Sequence, residues 1–259
     1  MESTIYQIDA FTDRPFSGNP AAVCPLETWL EDPAMQNIAA ENNLSETAFF
    51  VKKSDHFELR WFTPVVEVDL CGHATLASTF VIMNYMEPST TELTFRTKSG
   101  ELTVKKAGDL FVMDFPSQPP VPCDTPGNLV AGLDIQPREV LKSEDYLVVL
   151  EGEDDVKNTA PDFERLKCLD LRGIIVTAPG RNVDFVSRFF GPSVGINEDP
   201  VTGSSHCTLI PYWSKRLGKK KLHALQVSER GGELFCEMQG DRVLIAGKCA
   251  LYMKGTISL

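Results

Sequence analysis

Three stretches of this 259-residue chain set titratable or hydroxyl side chains beside turns and helix starts rather than on a repeating face. The first is Asn43-Leu44-Ser45-Glu46-Thr47-Ala48-Phe49-Phe50, where Glu46 lies between the end of a short helix and an apolar strand. A carboxyl partly desolvated in such a place has its pKa raised and can both accept and give a proton near neutrality. A solvated strand-edge glutamate is the plain alternative. The second stretch, Asp69-Leu70-Cys71-Gly72-His73-Ala74-Thr75, puts Gly72 and His73 at the opening of an apolar helix. Free N–H groups and the helix dipole there favour an anion such as a substrate carboxylate. His73 at that position is expected to stay neutral, as a hydrogen-bond donor or proton carrier, or else to serve as a capping or core histidine. Cys71 is either a thiol activated by the helix start or a buried structural cysteine.

The third stretch runs from Gly195 through Glu198-Asp199-Pro200-Val201-Thr202-Gly203-Ser204 to Cys207. Asp199 precedes a proline and is therefore extended, and Gly203 and Ser204 open a second apolar helix with further free amides. Asp199 and Ser204 either grip a small acid or cap their own helix. Cys71, His73, His206 and Cys207 are the conceivable tetrahedral metal set. Adjacent helical residues diverge by about 100°, which disfavours His206 and Cys207 as joint ligands, so no metal is expected. The sequence lacks a Walker loop, GxGxxG, HExxH and GxSxG, so the usual signals of nucleotide, hydride and zinc-protease chemistry are missing. Acid–base chemistry without a cofactor is what remains.

Composition narrows the partners. The formal net charge is −11, from 25 Lys and Arg against 36 Asp and Glu, and the average surface field therefore repels nucleic acid and anionic lipid. The run Lys215-Arg216 with Lys219-Lys220-Lys221 reads as the basic end of a helix and its exit turn. No basic segment leads into an apolar one at the N-terminus, and no uncharged apolar stretch of 18 residues occurs, so a cytoplasmic location is expected. Seven scattered cysteines without CxxC spacing are expected to be reduced thiols.

The elements that must position these groups are legible as period and punctuation. Residues 5–11 alternate as a strand before turn chemistry at Ser17-Gly18-Asn19-Pro20. Asp32 as N-cap and Pro33 in the first turn begin a short helix that ends near Asn43. Strands at 47–51 and 57–62 form a hairpin, and 72–83, apolar nearly all round, is a buried helix. Three further strands fill 91–115. Four prolines within 116–122 mark a domain boundary. The second half repeats the plan, with strands near 145–151, 172–178 and 184–190, an acidic loop, and an apolar helix from about Thr202 to Leu217. Arg60-Trp61-Phe62-Thr63-Pro64 matches Arg188-Phe189-Phe190-Gly191-Pro192, and Gly72-His73 meets Gly203-Ser204. Duplicated domains, 1–115 and 116–249, are expected, with a last strand at about 250–259 available to return to the first and a ligand cleft between the two.

Asp9-Ala10-Phe11-Thr12, Gly18-Asn19-Pro20-Ala21-Ala22-Val23, Ser45-Glu46-Thr47-Ala48-Phe49, the Arg60 to Thr75 motifs and Glu198-Asp199-Pro200-Val201-Thr202-Gly203-Ser204 together resemble the PhzF-like phenazine biosynthesis family. That resemblance implies an α+β fold of the diaminopimelate epimerase-like kind, two pseudo-symmetric domains each wrapping a mostly antiparallel β-barrel around one helix, and a homodimer. It implies Glu46 as the acid/base of a cofactor-independent isomerase acting on a small carboxylic acid. By the same resemblance His73 and Asp199 are catalytic, and Gly72, Gly203 and Ser204 bind substrate. Related racemases and epimerases use two facing thiols. Cys71 stands where the first would be, but Thr202 takes the second place. The alternatives are a racemase built on Cys71 and a small-acid binding protein without turnover.

Overall fold

The computed structural model describes residues 2–259. The described residues form two compact units, one from 2–114 with 246–259 and the other from 115–245.

In the first unit the strands are β1 (Glu2–Ala10), β2 (Asn19–Leu26), β3 (Glu46–Lys52), β4 (Phe57–Phe62) and the short β5 (Glu67–Val68), followed by β6 (Glu92–Thr97), β7 (Gly100–Ala107) and β8 (Leu110–Pro116). Helix α1 (Asp32–Asn42) precedes β3, and α2 (Gly72–Val81) follows β5. The β2–β3 pair is parallel, β3–β4 antiparallel, β4–β6 parallel, and β6–β7 antiparallel. The chain's last strand, Cys249–Ser258, lies antiparallel on β1. Gly18 permits the β1–β2 turn: its φ is +68°, and a Cβ there would stand 2.1 Å from the Ala10 carbonyl oxygen. Helix α1 begins with Asp32 itself, and its N-cap is Glu31. Asp32 does not cap because its carboxylate is drawn to Arg60. The buried residues of α2 run from His73 through Thr79 and include Val81, so the all-round apolar pattern does correspond to a helix enclosed by sheet.

In the second unit the strands are β9 (Val121–Pro122), β10 (Glu139–Lys142), β11 (Tyr146–Val149), β12 (Ile174–Pro179), β13 (Phe185–Gly191), β14 (Ile196–Asp199), β15 (Lys221–Gln226), β16 (Gly232–Gln239) and β17 (Arg242–Gly247), which leaves Cys249–Ser258 as β18. Helices α3 (Gly127–Leu133), α4 (Glu153–Asn158) and α5 (Phe163–Leu166) are short, and α6 (His206–Leu217) is the long one. The pairing order of the first unit recurs: β11–β12 parallel, β12–β13 antiparallel, β13–β15 parallel and β15–β16 antiparallel. Helix α6 starts four residues later than the apolar pattern suggests. Thr202 and Gly203 are held outside it because the Gln226 side chain accepts from the Thr202 N–H. Gly218, at φ +67°, ends it just after Lys215 and Arg216.

An arginine clamp is also duplicated. Arg60 on β4 forks Glu67 at 2.7 and 2.8 Å and stands over Phe62. Arg188 on β13 forks Glu198 at 2.7 and 2.9 Å and stands over Phe190. Each fork ties the acidic segment ahead of the enclosed helix to the strand before it. The fold is α+β, with pseudo-symmetric barrel domains of the diaminopimelate epimerase-like kind. Among the described residues no helix is long and apolar enough to cross a membrane.

Candidate active site

Glu46 is the first residue of β3, just after Asn43 has turned the chain out of α1 in a left-handed conformation, φ 49°. The Asn42 amide donates to Thr47 Oγ1 and pins that junction. The β2–β3 register brings Glu46 beside Ala21, two residues along from Asn19. His73 is the second residue of α2, and Cys71 is its N-cap. The Cys71 side chain makes no cap bond, so the first-turn N–H groups stay free, while its carbonyl accepts from the Thr75 N–H and from Thr75 Oγ1 at 2.6 Å.

These elements bring three groups together. His73 Nε2 lies 3.1 Å from Glu46 Oε2. Cys71 Sγ is 3.6 Å from His73 Nδ1 and 4.0 Å from Nε2. Asn19 Nδ2 is 3.2 Å from Nδ1 on the other side of the ring. All are inside the unit: Glu46 is 9 % exposed, Cys71 7 %, His73 5 % and Asn19 0 %. The Glu46 to His73 contact is short but off the alignment of a hydrogen bond, and Glu46 Oε2 is buried with no aligned donor among the described residues.

Burial alone would lower the His73 pKa. A Cys71 thiolate first, then the Glu46 carboxylate, oppose it through their charges and hydrogen bonds and raise the imidazole above its ordinary value. Burial, with the Glu46 charge adding to it, pushes the Cys71 thiol up to about 11. At neutral pH the thiol is therefore protonated, its share of the raising is absent, and Glu46 is the counter-charge that remains beside His73. The expectation of a neutral His73 at a helix start is thus opposed by a carboxylate in contact, a stronger influence than a half-charge dipole and one that raises the imidazole. The Asn19 amide can meet Nδ1 with its NH2 when that nitrogen is bare, or with its carbonyl when it is protonated, and so holds the ring in both states.

Glu46, Cys71 and His73 have ligand atoms within 4.8 Å of one another. This trio differs from the four-residue metal set conceivable from sequence. His206 is fully buried and turned to its own chain, with Nδ1 2.8 Å from the Thr202 carbonyl.

In the second unit, Asp199 closes β14 and accepts the Thr202 hydroxyl at 2.6 Å. Gln226 bridges the same turn, donating to the Asp199 carbonyl and to Thr202 Oγ1. Gly203 and Ser204 occupy the turn that leads into α6. Ser204 does not cap the helix: its Oγ accepts from Arg172 Nη2 at 3.0 Å. Arg172 in turn forks Asp145 at 3.0 and 2.6 Å. The structure thus joins Glu46, His73 and Gly72 in one unit, and Asp199, Gly203 and Ser204 in one segment of the other. Sequence reading passed over Asn19, Asp145 and Arg172. Asn19 lies within a quoted motif and could have been found there, whereas Asp145 and Arg172 are 27 positions apart and carry no local signal.

A model of phenazine biosynthesis-like proteins matches residues 8–255. The chain belongs to this family. It is 57 % identical over 259 residues to an uncharacterized isomerase of Pseudomonas aeruginosa, with both chains covered in full. A solved phenazine biosynthesis protein of the PhzF family from Enterococcus faecalis superimposes with a TM-score of 0.98 at 50 % identity, again over the whole of both chains. A hydroxyproline epimerase from Agrobacterium vitis shares the fold, with a TM-score of 0.61 at 9 % identity over 100 % of this chain and 93 % of its own.

Proposed function

We propose that this member of the phenazine biosynthesis-like family is a cofactor-independent isomerase that moves a proton on a small carboxylate-bearing substrate, with Glu46 as general acid and base. The observation that carries this reading is the buried Glu46 and His73 pair, 3.1 Å apart, with Glu46 Oε2 short of an aligned donor. In this reading the Glu46 carboxylate takes a proton from a substrate carbon and returns it at another position. The imidazolium of His73 balances the charge left behind. Asp199 serves with them as a catalytic group, while the Gly72 and Gly203 amides and the Ser204 hydroxyl bind the substrate. The name of the Pseudomonas aeruginosa relative supports the reaction class.

A racemase acting through Cys71 is the second reading, favoured by the 3.6 Å approach of its sulfur to His73. It calls for a thiolate, and a thiol pushed up to about 11 supplies little of that at neutral pH. The test is deuterium wash-in from heavy water, read by mass spectrometry, with a panel of cyclic acids, dihydro-hydroxyanthranilate among them, and free amino acids. Exchange into a ring acid that is lost in Glu46→Gln and kept in Cys71→Ala supports the isomerase. Exchange at an amino-acid α-carbon that depends on Cys71 supports the racemase instead. No exchange with any member of the panel would favour a protein that binds small acids without turnover.

A further inference from the structure

The repeated strand pairing allows the two units to be compared residue by residue. Thr47 pairs with Phe62 and with Ala22, and Ile174 pairs with Phe190 and with Tyr146. Phe62 and Phe190 hold the same place in the matched arginine motifs. Moving one residue back along each strand, Glu46 corresponds to Gly173 and Ala21 to Asp145, and one residue further back Ser45 corresponds to Arg172. His73 corresponds to Ser204 from the matched helix openings. Where the first unit carries a carboxylate and an imidazole, the second carries no side chain at the carboxylate's place and an arginine joined to a serine beside it.

A Cβ at Gly173 would stand 2.3 Å from Phe189 Cζ, so any other residue there requires the ring to move. The neighbouring Arg172 is fixed on three sides. Asp145, 1 % exposed, takes Nε and Nη2. The Phe189 ring lies 5.4 Å from the guanidinium carbon, and Ser204 Oγ takes the remaining Nη2 hydrogen. The first unit folds the same strands with alanine, serine and histidine at the matching positions, so the architecture does not require this ion pair. A buried carboxylate is costly to desolvate and is retained where it holds something in place. Here it holds a cation whose side chain is 38 % exposed.

The hydrogen-bond inventory then fixes a direction. Arginine has donors and no acceptor, so Ser204 Oγ must accept from it. The serine's own hydrogen is thereby turned away from Arg172 and polarised by the guanidinium charge. Arg172 Nη1 has no protein acceptor among the described residues. Two adjacent donors, one neutral and one cationic, match the two oxygens of a single carboxylate.

We infer that Asp145, Arg172 and Ser204 form a carboxylate-binding subsite, in which Ser204 and Arg172 Nη1 donate to the ligand and Asp145 is the positioning residue that aims the guanidinium. This rests on the proposed function in that the carboxylate is taken to be the substrate's. Asp145→Asn should therefore act on ligand affinity through Arg172 and not through a contact of its own.

The test uses 4-fluorobenzoate as a ring carboxylate, followed by 19F NMR relaxation, with 4-fluorobenzyl alcohol as its uncharged counterpart. The wild-type protein should bind the acid saturably and in preference to the alcohol. Arg172→Ala and Ser204→Ala should weaken the acid about tenfold or more, the scale of a lost charge-assisted bond. Arg172→Lys, which keeps the charge and loses the fork, should lie between these and the wild type. Asp145→Asn should weaken the acid while leaving the alcohol unchanged, a selectivity that general loosening of the unit would not produce. Arg138→Ala, which removes an exposed arginine paired with Glu151, controls for bulk charge and should bind as the wild type does. Equal affinity for acid and alcohol, undiminished binding in Arg172→Ala, or no saturable binding by the wild type would each overturn the subsite. None of these results bears on Glu46, whose role is read from deuterium exchange, so the two proposals fail separately.

Discussion

Each unit buries a histidine at the start of its enclosed helix, and the surroundings push the two imidazoles in opposite directions. His73 has a carboxylate 3.1 Å away and is kept well above the ordinary imidazole value, the neighbouring charges overcoming burial. His206 has a backbone carbonyl on Nδ1 and no partner on Nε2, and burial takes it down to about 4. Both rings are almost fully enclosed, so exposure does not distinguish them. The difference lies in what faces each ring: Glu46 and Cys71 stand beside His73, whereas His206, two positions past the residue matched to His73, meets the Thr202 carbonyl, and the second unit has Gly173 where Glu46 would be. A duplicated frame can thus hold a proton-transfer pair on one side and an inert packed imidazole with an arginine-fixed serine on the other, without altering the pairing order of the strands.

The largest effect expected from breaking this comparison is on His73 itself. In Glu46→Gln the carboxylate charge is gone, and with the Cys71 thiol protonated at neutral pH little is left to oppose burial, so the His73 pKa should fall. The imidazole nitrogens report this directly in 15N NMR. A ring that stays protonated at neutral pH in the variant would mean that Glu46 is not its counter-charge. The linkage has a definite sign. With its folded pKa raised, protonation of His73 stabilises the fold fully below about pH 6.5, and that contribution is lost as pH climbs through the folded value.

His206 should behave in the opposite way. Its folded value of about 4 lies below the ordinary 6.5, so its contribution is complete above pH 6.5 and is lost as pH falls toward 4. The difference corresponds to about 3 kcal/mol. Urea unfolding at pH 7, 5.5 and 4 should show this loss. His206→Asn, which keeps a donor toward the Thr202 carbonyl and cannot titrate in this range, should show a flatter profile. An unchanged slope would assign the acid sensitivity to carboxylates elsewhere.

Much of this arrangement could be read in advance, for identifiable reasons. Strand alternation at 57–62, the enclosed helix after Gly72 and the proline-rich boundary follow from period and punctuation, which are local. The matched arginine motifs exposed the duplication because each arginine must fork an acid in the next loop. The start of α6 was misjudged because apolar residues continue back to Val201, and a side chain from a distant strand, Gln226, decides where the helix begins. The charge of His73 was missed for a similar reason, since the β3 register that delivers Glu46 is set by pairing with β2 and cannot be seen from the helix. Asp145 and Arg172 were invisible in sequence because their meaning depends on a bond to each other.

Gly173 sharpens the comparison from the other direction, as the position that keeps the second unit from acquiring a base. Gly173→Ala forces the Phe189 ring aside and should cost about 1–3 kcal/mol, the usual range for overpacking. The cost should be read as a lower urea midpoint with unchanged slope. A neutral result would mean that Phe189 can swing away, and that its present place over Gly173 is incidental.

The smallest effect concerns the two clamps. Lysine in place of either arginine keeps the charge but cannot fork a carboxylate. Arg60 is satisfied by Glu67 and Asp32 alone, both side-chain partners that can rearrange toward an ammonium, so Arg60→Lys should cost about 1 kcal/mol or less. Arg188 also donates to the Val156 and Thr159 carbonyls, at 3.2 and 2.7 Å. Those carbonyls are backbone and cannot follow a shorter fork. Arg188→Lys should therefore cost more than Arg60→Lys, in the same urea midpoints, by about one hydrogen bond's worth, about 1 kcal/mol. Equal costs would show that the two clamps are energetically as symmetric as they are geometrically. The divergence of the units would then be confined to the places where Glu46 meets Gly173 and His73 meets Ser204.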